Sequence, residues 1–351
     1  MELQAIWDEY GLDKLEEGMQ TLFPQNDFSF GVMFQKLLEG EVMGAMEYLY
    51  HSMVSGMSLQ LDGVKNIFMW LLVLGIVSAL LTHFARIFEK HRIADLSFYY
   101  IYLLLSAVLL KSFAQVVVIA ESAIEEIILF VKLLVPAYLC VVGIATGTTT
   151  AAAYSQLLVL VVYGVEKILL GCVIPMVYGF IVLSVINSIW AEEKLGMIID
   201  LVEKGIGWIL KASMGVVTGV NLFQGMITPM VDAVKKSTLQ KVISAIPGVG
   251  NTADALTELA TGSAIVIKNS VGVVLLLLLL FLCGIPLLKI FLTALLFKGA
   301  AALMGVVSDK RICGCTNRTG DGVMLLLRTT GTAMLLFLIT LAVVSMSIGR
   351  T

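Results

Sequence analysis

The sequence predicts an all-α, polytopic membrane protein: about eight transmembrane helices, one interfacial or re-entrant helical segment, and an amphipathic helical region at the N-terminus. Three observations predict it. The 351 residues are 59% hydrophobic and only 14% charged, against roughly 25% charged in a soluble domain. Their mean hydropathy is +0.96. Apolar runs of about 20 residues, the length that crosses a hydrocarbon layer, recur along the chain. An ordinary water-soluble enzyme is thereby excluded. The 31 Gly, 6 Pro and 5 Cys likewise exclude a collagen-like, disordered or disulfide-framework chain.

Residues 1–63 carry 11 acidic and 2 basic side chains, net −9. They read as an extracytoplasmic amphipathic region ahead of a multi-pass domain over 64–351. Ile6, Trp7, Tyr10, Leu15, Met19 and Leu22 recur at helical spacing until Pro24. Phe34, Leu37, Leu38, Met46, Leu49, Tyr50 and Met53 form a second stripe. Neither is apolar enough to cross a bilayer, so they pack on each other, on the membrane surface or on a partner. Met1 begins an acidic amphipathic segment rather than a signal peptide. Export of this region then requires a start upstream, a processed or truncated form, or carriage by the first span.

Between Lys65 and Arg86 there is no charged residue, which predicts the first crossing. Residues 97–119, interrupted by Lys111, predict the second. From Ile127 to Trp190 the turn signals Thr146-Gly-Thr-Thr-Thr150 and Gly171-Cys-Val-Ile-Pro175 divide the chain into three more. Residues 194–211 place Leu195, Ile198, Ile199, Val202, Ile206 and Ile209 on one face with charges around the rest, the pattern of a helix lying in the interface. Residues 212–231 intersperse Thr218, Asn221, Gln224 and Thr228 among small residues, which points to a buried or re-entrant helix. The stretch 232–263 is polar. Residues 268–289, with six consecutive leucines from Leu275, form the surest span. Residues 287–307 predict the next, a polar loop runs from Ser308 to Gly322, and 323–347 complete the count. Thus 194–263 is expected to be an interfacial or re-entrant, polar central segment.

Basic loops set orientation. Arg86, Lys90 and Arg92, then Lys194, Lys204 and Lys211, then Lys235, Lys236 and Lys241, then Lys310, Arg311 and Arg318 mark the cytoplasmic side. Glu121, Glu125 and Glu126 suit the outside, and both termini fall there.

Charge inside apolar runs is costly and marks candidate sites. Lys111, Glu166, Lys167 and Lys298 are the intramembrane polar candidates, with Lys111 and Lys298 the better ones for burial because apolar residues flank each. Glu166 and Lys167 are adjacent and point about 100° apart on a helix, so each meets another helix or the interface rather than its neighbour. Snorkelling to the headgroups is the competing reading for every lysine. Gly143/Gly147 and Gly215/Gly219 have the spacing of close helix packing. Cys140, Cys172 and Cys283 read as small buried hydrophobes. No catalytic motif, cofactor site or metal site is present in the pattern, and no basic stripe with interleaved aromatics points to nucleic acid. Membrane lipid is the one partner that composition implies.

From Thr218 onward a set of short motifs stands out in fixed order. They are Thr218-Gly-Val-Asn221 with Gln224-Gly225, then Asp232 with Lys235, then Ala245-Ile-Pro247-Gly248-Val-Gly250 and Asp254-Ala-Leu256. Ile267-Lys268-Asn269-Ser-Val-Gly272-Val273, Ser308-Asp309-Lys310-Arg311-Ile312 and Gly320-Asp321 follow. In this order and spacing the last 130 residues or so resemble the stage III sporulation protein AE family. The resemblance implies a multi-pass subunit of a channel or secretion-like complex between mother cell and forespore, needed for endospore formation and late forespore gene expression. It implies the other stage III sporulation A proteins as partners, including a separate ATPase, and stage II sporulation protein Q indirectly across the intermembrane space. It places the chain in the mother-cell membrane around the forespore and carries over no catalytic residue. The competing readings are a self-sufficient secondary transporter or channel for small solutes, and a membrane enzyme. Internal repeats and a midplane site between broken helices would favour the transporter, and no convincing repeat between the halves is visible.

Overall fold

A computed structural model describes residues 29–41, 43–48, 91–146, 163–189, 194–243, 250–307 and 310–347, with single positions at 13, 15–17, 51, 69, 73, 76, 77, 160 and 161. Every regular element among them is helical: α1 (Phe30–Leu38), α2 (His91–Thr146), α3 (Ile174–Asn187), α4 (Gly196–Ile243), α5 (Gly250–Val307) and α6 (Lys310–Ser347). Four stretches among the described residues are long and apolar enough to cross a membrane: Tyr102–Leu139, Tyr163–Asn187, Ser270–Val306 and Lys310–Ala342. This is a helical membrane protein. The predicted first crossing, Lys65–Arg86, falls almost wholly outside the described residues.

Several predicted boundaries are replaced by continuous helix. Residues 97–119 and 127–146 join into α2, because the acidic stretch between them, Ala120 to Ile127, consists of good helix formers with no breaker. A dip in hydropathy is not a turn. Glu121, Glu125 and Glu126 therefore stand on a helix rather than in an outside loop. The two predicted spans at 268–289 and 287–307 join in the same way into α5. Each of these apolar stretches, 38 and 37 residues long, measures about 56 Å at 1.5 Å per residue. That exceeds a hydrocarbon layer of about 30 Å. The Gly171–Pro175 signal is no turn either. Leu169–Val173 form a π-helical turn that runs straight into α3. Pro175 has no N–H to offer the carbonyl four residues back, and the wider turn accommodates that loss.

The amphipathic stripe at 194–211 is present, but it does not cover a surface helix. Asn187 accepts a hydrogen bond at 2.8 Å from the Leu195 backbone N–H and turns the chain back on itself. A Cβ on Gly205 would lie 3.4 Å from Met176, and Ile209 to Val217 flank Val165 to Cys172 across one apolar groove. Hence α4 runs antiparallel to α3 and the segment before it. Ile199, Ile206, Leu210, Ser213 and Val217 are buried there, while Met197, Leu201, Lys204 and Trp208 are exposed. The helix continues unbroken for 48 residues, about 70 Å. A re-entrant bend is thus absent from 196–243, and Lys235, Lys236 and Lys241 lie toward the opposite end from Lys194. Gly215 and Gly219 have open space around them rather than a helix contact.

The predicted loop at 308–322 becomes the first three turns of α6 from Lys310. This helix is the hub, packing against α2, α3, α4 and α5. It is also polar. Thr316, Thr319, Thr329 and Thr340 are buried, and each hydroxyl donates to the carbonyl four residues back, so none needs water. With α5 it forms an antiparallel pair in which a Cβ on Gly305 would lie 3.2 Å from the Cys313 sulfur. That separation suits a disulfide. Gly305→Cys is therefore expected to cross-link to Cys313 on mild oxidation, read as loss of thiol labelling at both positions by peptide mass spectrometry. Persistent labelling of Cys313 would count against the pairing.

α1 packs against α5 with Met33 and Phe34 fully buried. Its entry is fixed by Glu16, which accepts from the Gly31 N–H at 3.1 Å, and its end by Gly40 at φ +80°. The Tyr102 hydroxyl donates to the Val185 carbonyl. One end of the bundle thus gathers the Tyr102 end of α2, the end of α3, the starts of α4 and α6, and the end of α5.

Candidate functional site

Among the described residues, several charges on the membrane helices have partners on a different helix. Lys298 of α5 lies against Gly320 of α6, where a Cβ would sit 3.0 Å from the lysine Cγ and 3.4 Å from the Phe297 Cβ. The missing side chain lets the lysine ammonium reach Asp321 and donate to Oδ1 at 2.7 Å. Lys132 of α2 donates to Glu166 at 2.8 Å, and Glu126 of α2 interacts electrostatically with Lys289 of α5. A lone charge at mid-bilayer costs about 2.5–3.5 kcal/mol on insertion scales. Pairing across helices offsets that cost and couples the helices that supply the partners. Next to the first pair, a Cβ on Gly322 would come within 2.7 Å of the Ile181 Cγ1 and 3.3 Å of Phe113. At Gly320-Asp321-Gly322, α6 therefore packs closely against α5 on one side and α2 and α3 on the other.

A polar cavity of about 480 Å³ opens beside this crossing. The end of α3 supplies Ser184, Asn187 and Ser188, and α4 supplies Ile199. One face of α6 supplies Lys310, Arg311, Gly314, Asn317, Arg318 and Asp321. Their spacing, i, i+1, i+4, i+7, i+8 and i+11, is that of a helix face. A smaller cleft of about 350 Å³ adjoins it between α5 and α6, lined by Lys298, Ala301, Ala302, Gly305, Cys313 and the shared Lys310, Gly314 and Asn317. Among the described residues no group of three His, Cys, Asp or Glu side chains could hold a metal ion.

The sequence model of the stage III sporulation protein AE family matches residues 28–348. The chain belongs to this family. Among curated proteins, the stage III sporulation protein AE of Bacillus subtilis (strain 168) is 21% identical over 342 residues, covering 97% of this chain and 82% of that protein. No solved structure matches. Membership of the stage III sporulation protein AE family implies a role in sporulation, and it extends far N-terminal of the motifs that first carry the resemblance.

The family motifs are not all brought together. Lys310, Arg311 and Asp321 line one cavity, with Lys298 paired to Asp321 at its edge. Gly272 is buried on α5, and Gly250 begins that helix. Asn221, Gln224, Gly225 and Asp232 lie along α4, and Lys268 and Asn269 along α5, with side chains outside the described residues. Pro247, Gly248 and Asp309 fall outside the described residues altogether. Of the intramembrane candidates, Glu166 meets another helix, while Lys111 and Lys167 are exposed on theirs. Lys111 was, with Lys298, the better candidate for burial, against snorkelling as the competing reading. Flanking apolar residues do not decide that, because they occupy other faces of the same helix. Cys283 is buried but Cys172 is exposed. Sequence reasoning missed Ser184, Asn187, Ser188, Asn317 and Arg318 as cavity residues, and the helical period from 310 to 321 was the signal for the last two.

Proposed function

We propose that this chain is a non-catalytic, multi-pass core subunit of the channel or secretion-like complex between mother cell and forespore. In this reading it sits in the mother-cell membrane around the forespore. It works with the other stage III sporulation A proteins, including a separate ATPase, and faces stage II sporulation protein Q across the intermembrane space. The family match over 28–348 carries the reading. The four apolar helices among the described residues and the interhelical charge pairs support a membrane-embedded platform rather than a peripheral factor. Residues 212–273 are the proposed subunit-facing or solute-facing element, and the Asn221, Gln224, Gly225, Asp232, Lys268 and Asn269 motifs fall within it. The chain's own sequence holds no nucleotide motif, which fits energy supplied by another subunit.

The test has two arms. In sporulating cells, single cysteines placed through 212–273 are expected to cross-link to other stage III sporulation A subunits, and loss of the protein is expected to block development after engulfment. Purified protein in proteoliposomes is expected to move no small solute down an ion gradient. Solute transport by the isolated chain would favour the transporter reading. Normal spore formation without the protein would end the complex-subunit reading.

A further inference from the structure

The cavity at the start of α6 is built for an anion. Lys310, Arg311 and Arg318 line it together with Asp321, the one carboxylate among the described lining residues, which is already engaged by Lys298. Among the described residues no acid lies within ion-pair distance of Lys310 or Arg318. Ser184 also lines the cavity; it is 98% buried and its hydroxyl has no hydrogen-bond partner among the described residues. Asn187 and Asn317 add amide groups, and the first backbone N–H groups of α6 start at Lys310 beside the opening. Lys310 and Arg318, with no acid partner among the described residues, thus face a space of about 480 Å³, which is larger than a bare phosphate needs and falls within the range of small-molecule clefts.

Its depth identifies the source of the anion. Two of the membrane-crossing stretches end in this cavity: Tyr163–Asn187 finishes at Asn187, and Lys310–Ala342 begins at Lys310. The ends of such helices lie at headgroup level. The adjoining cleft between α5 and α6 is mainly apolar, lined by Ala301, Ala302, Gly305 and Cys313, and shares Lys310 with the cavity. A ligand with a phosphate at one end and a hydrocarbon chain at the other matches both spaces. Basic pockets between membrane helices recognise anionic lipids in this way.

We propose that this cavity binds the phosphate group of an anionic phospholipid, with Lys310 and Arg318 as its principal cationic contacts and Ser184 as a buried hydroxyl donor. The site belongs to the chain alone and does not depend on the channel role, so the two can fail separately.

The full-length protein is reconstituted in phosphatidylcholine nanodiscs containing a minor fraction of phosphatidylglycerol, and the bound lipid is read by native mass spectrometry. Phosphatidylglycerol is expected to be retained over phosphatidylcholine. Each of Lys310→Gln and Arg318→Gln is expected to weaken that preference about fivefold. Arg318→Lys should keep most of it, and Lys111→Gln, on an exposed face away from the cavity, should leave it unchanged. Inorganic phosphate is titrated in parallel by thermal shift in detergent. Displacement of the lipid by millimolar phosphate would keep the site as a phosphate site but assign it to a soluble ligand. Equal retention of the two lipids by the wild-type protein, with no phosphate-induced shift, would overturn the proposal. So would undiminished preference in a folded Arg318→Gln protein.

Discussion

Gly322→Val is expected to destabilise the folded protein sharply. At this position α6 passes α3 and α2 so closely that a first side-chain carbon would lie 2.7 Å from the Ile181 Cγ1 and 3.3 Å from the Phe113 ring. Ile181 and Phe113 are fully buried. Inserting one methyl into a packed core costs about 1–3 kcal/mol, so alanine alone is expected to lower thermal stability measurably. Valine adds two further carbons and should cost at least about 3 kcal/mol, more than a hundredfold in the folding equilibrium. The same logic ranks the neighbours. Gly320→Ala meets the flexible stem of Lys298 at 3.0 Å, which can shift, so a milder loss is expected. Gly331→Ala meets Leu287 at 3.9 Å, an ordinary contact, and should be neutral. Fluorescence-detected size exclusion of tagged variants would read the series. A Gly322→Ala protein as stable as Gly331→Ala would mean that the α6 crossing is not as drawn.

That crossing also shows what the sequence could and could not tell. The helical membrane class was legible from composition alone, because water cannot solvate that much apolar surface. The stripe at 194–211 was legible from period. Its partner was not: an amphipathic face fits a neighbouring helix as well as a membrane surface, and only the Asn187–Leu195 turn decides between them. The polar stretch 308–322 misled in the opposite direction. Thr, Asn, Gly and Arg read as loop residues, yet here they build the centre of the bundle. Threonine hydroxyls satisfy themselves on their own helix, glycines admit neighbours, and the charged residues find partners or a cavity. The reasoning that assigned Thr218, Asn221 and Gln224 to a buried helix applied equally to this segment. Taken as helix, 310–321 would have shown its cationic face at once.

Within that face, the pair Lys298–Asp321 is expected to behave asymmetrically on mutation. Both side chains are about one-third exposed, so the pair belongs between the 0–1 kcal/mol of surface bridges and the about 3–5 kcal/mol lost when a buried one is broken. The surroundings break the symmetry. Lys298→Met leaves Asp321 in a cavity with Lys310, Arg311 and Arg318, which can compensate it, so a loss of about 1 kcal/mol is expected. Asp321→Asn removes a carboxylate facing those cations and leaves Lys298 without its partner, so about 2–3 kcal/mol is expected. The double variant Lys298→Met/Asp321→Asn relieves that unpaired ammonium and should be more stable than Asp321→Asn alone. Thermal denaturation of the four proteins in detergent closes the cycle. High salt should shrink the coupling, since both groups are partly exposed. Equal single-variant losses that simply add would show that the two residues do not sense one another, and that α5 and α6 are held at this point by the glycine contact without help from charge.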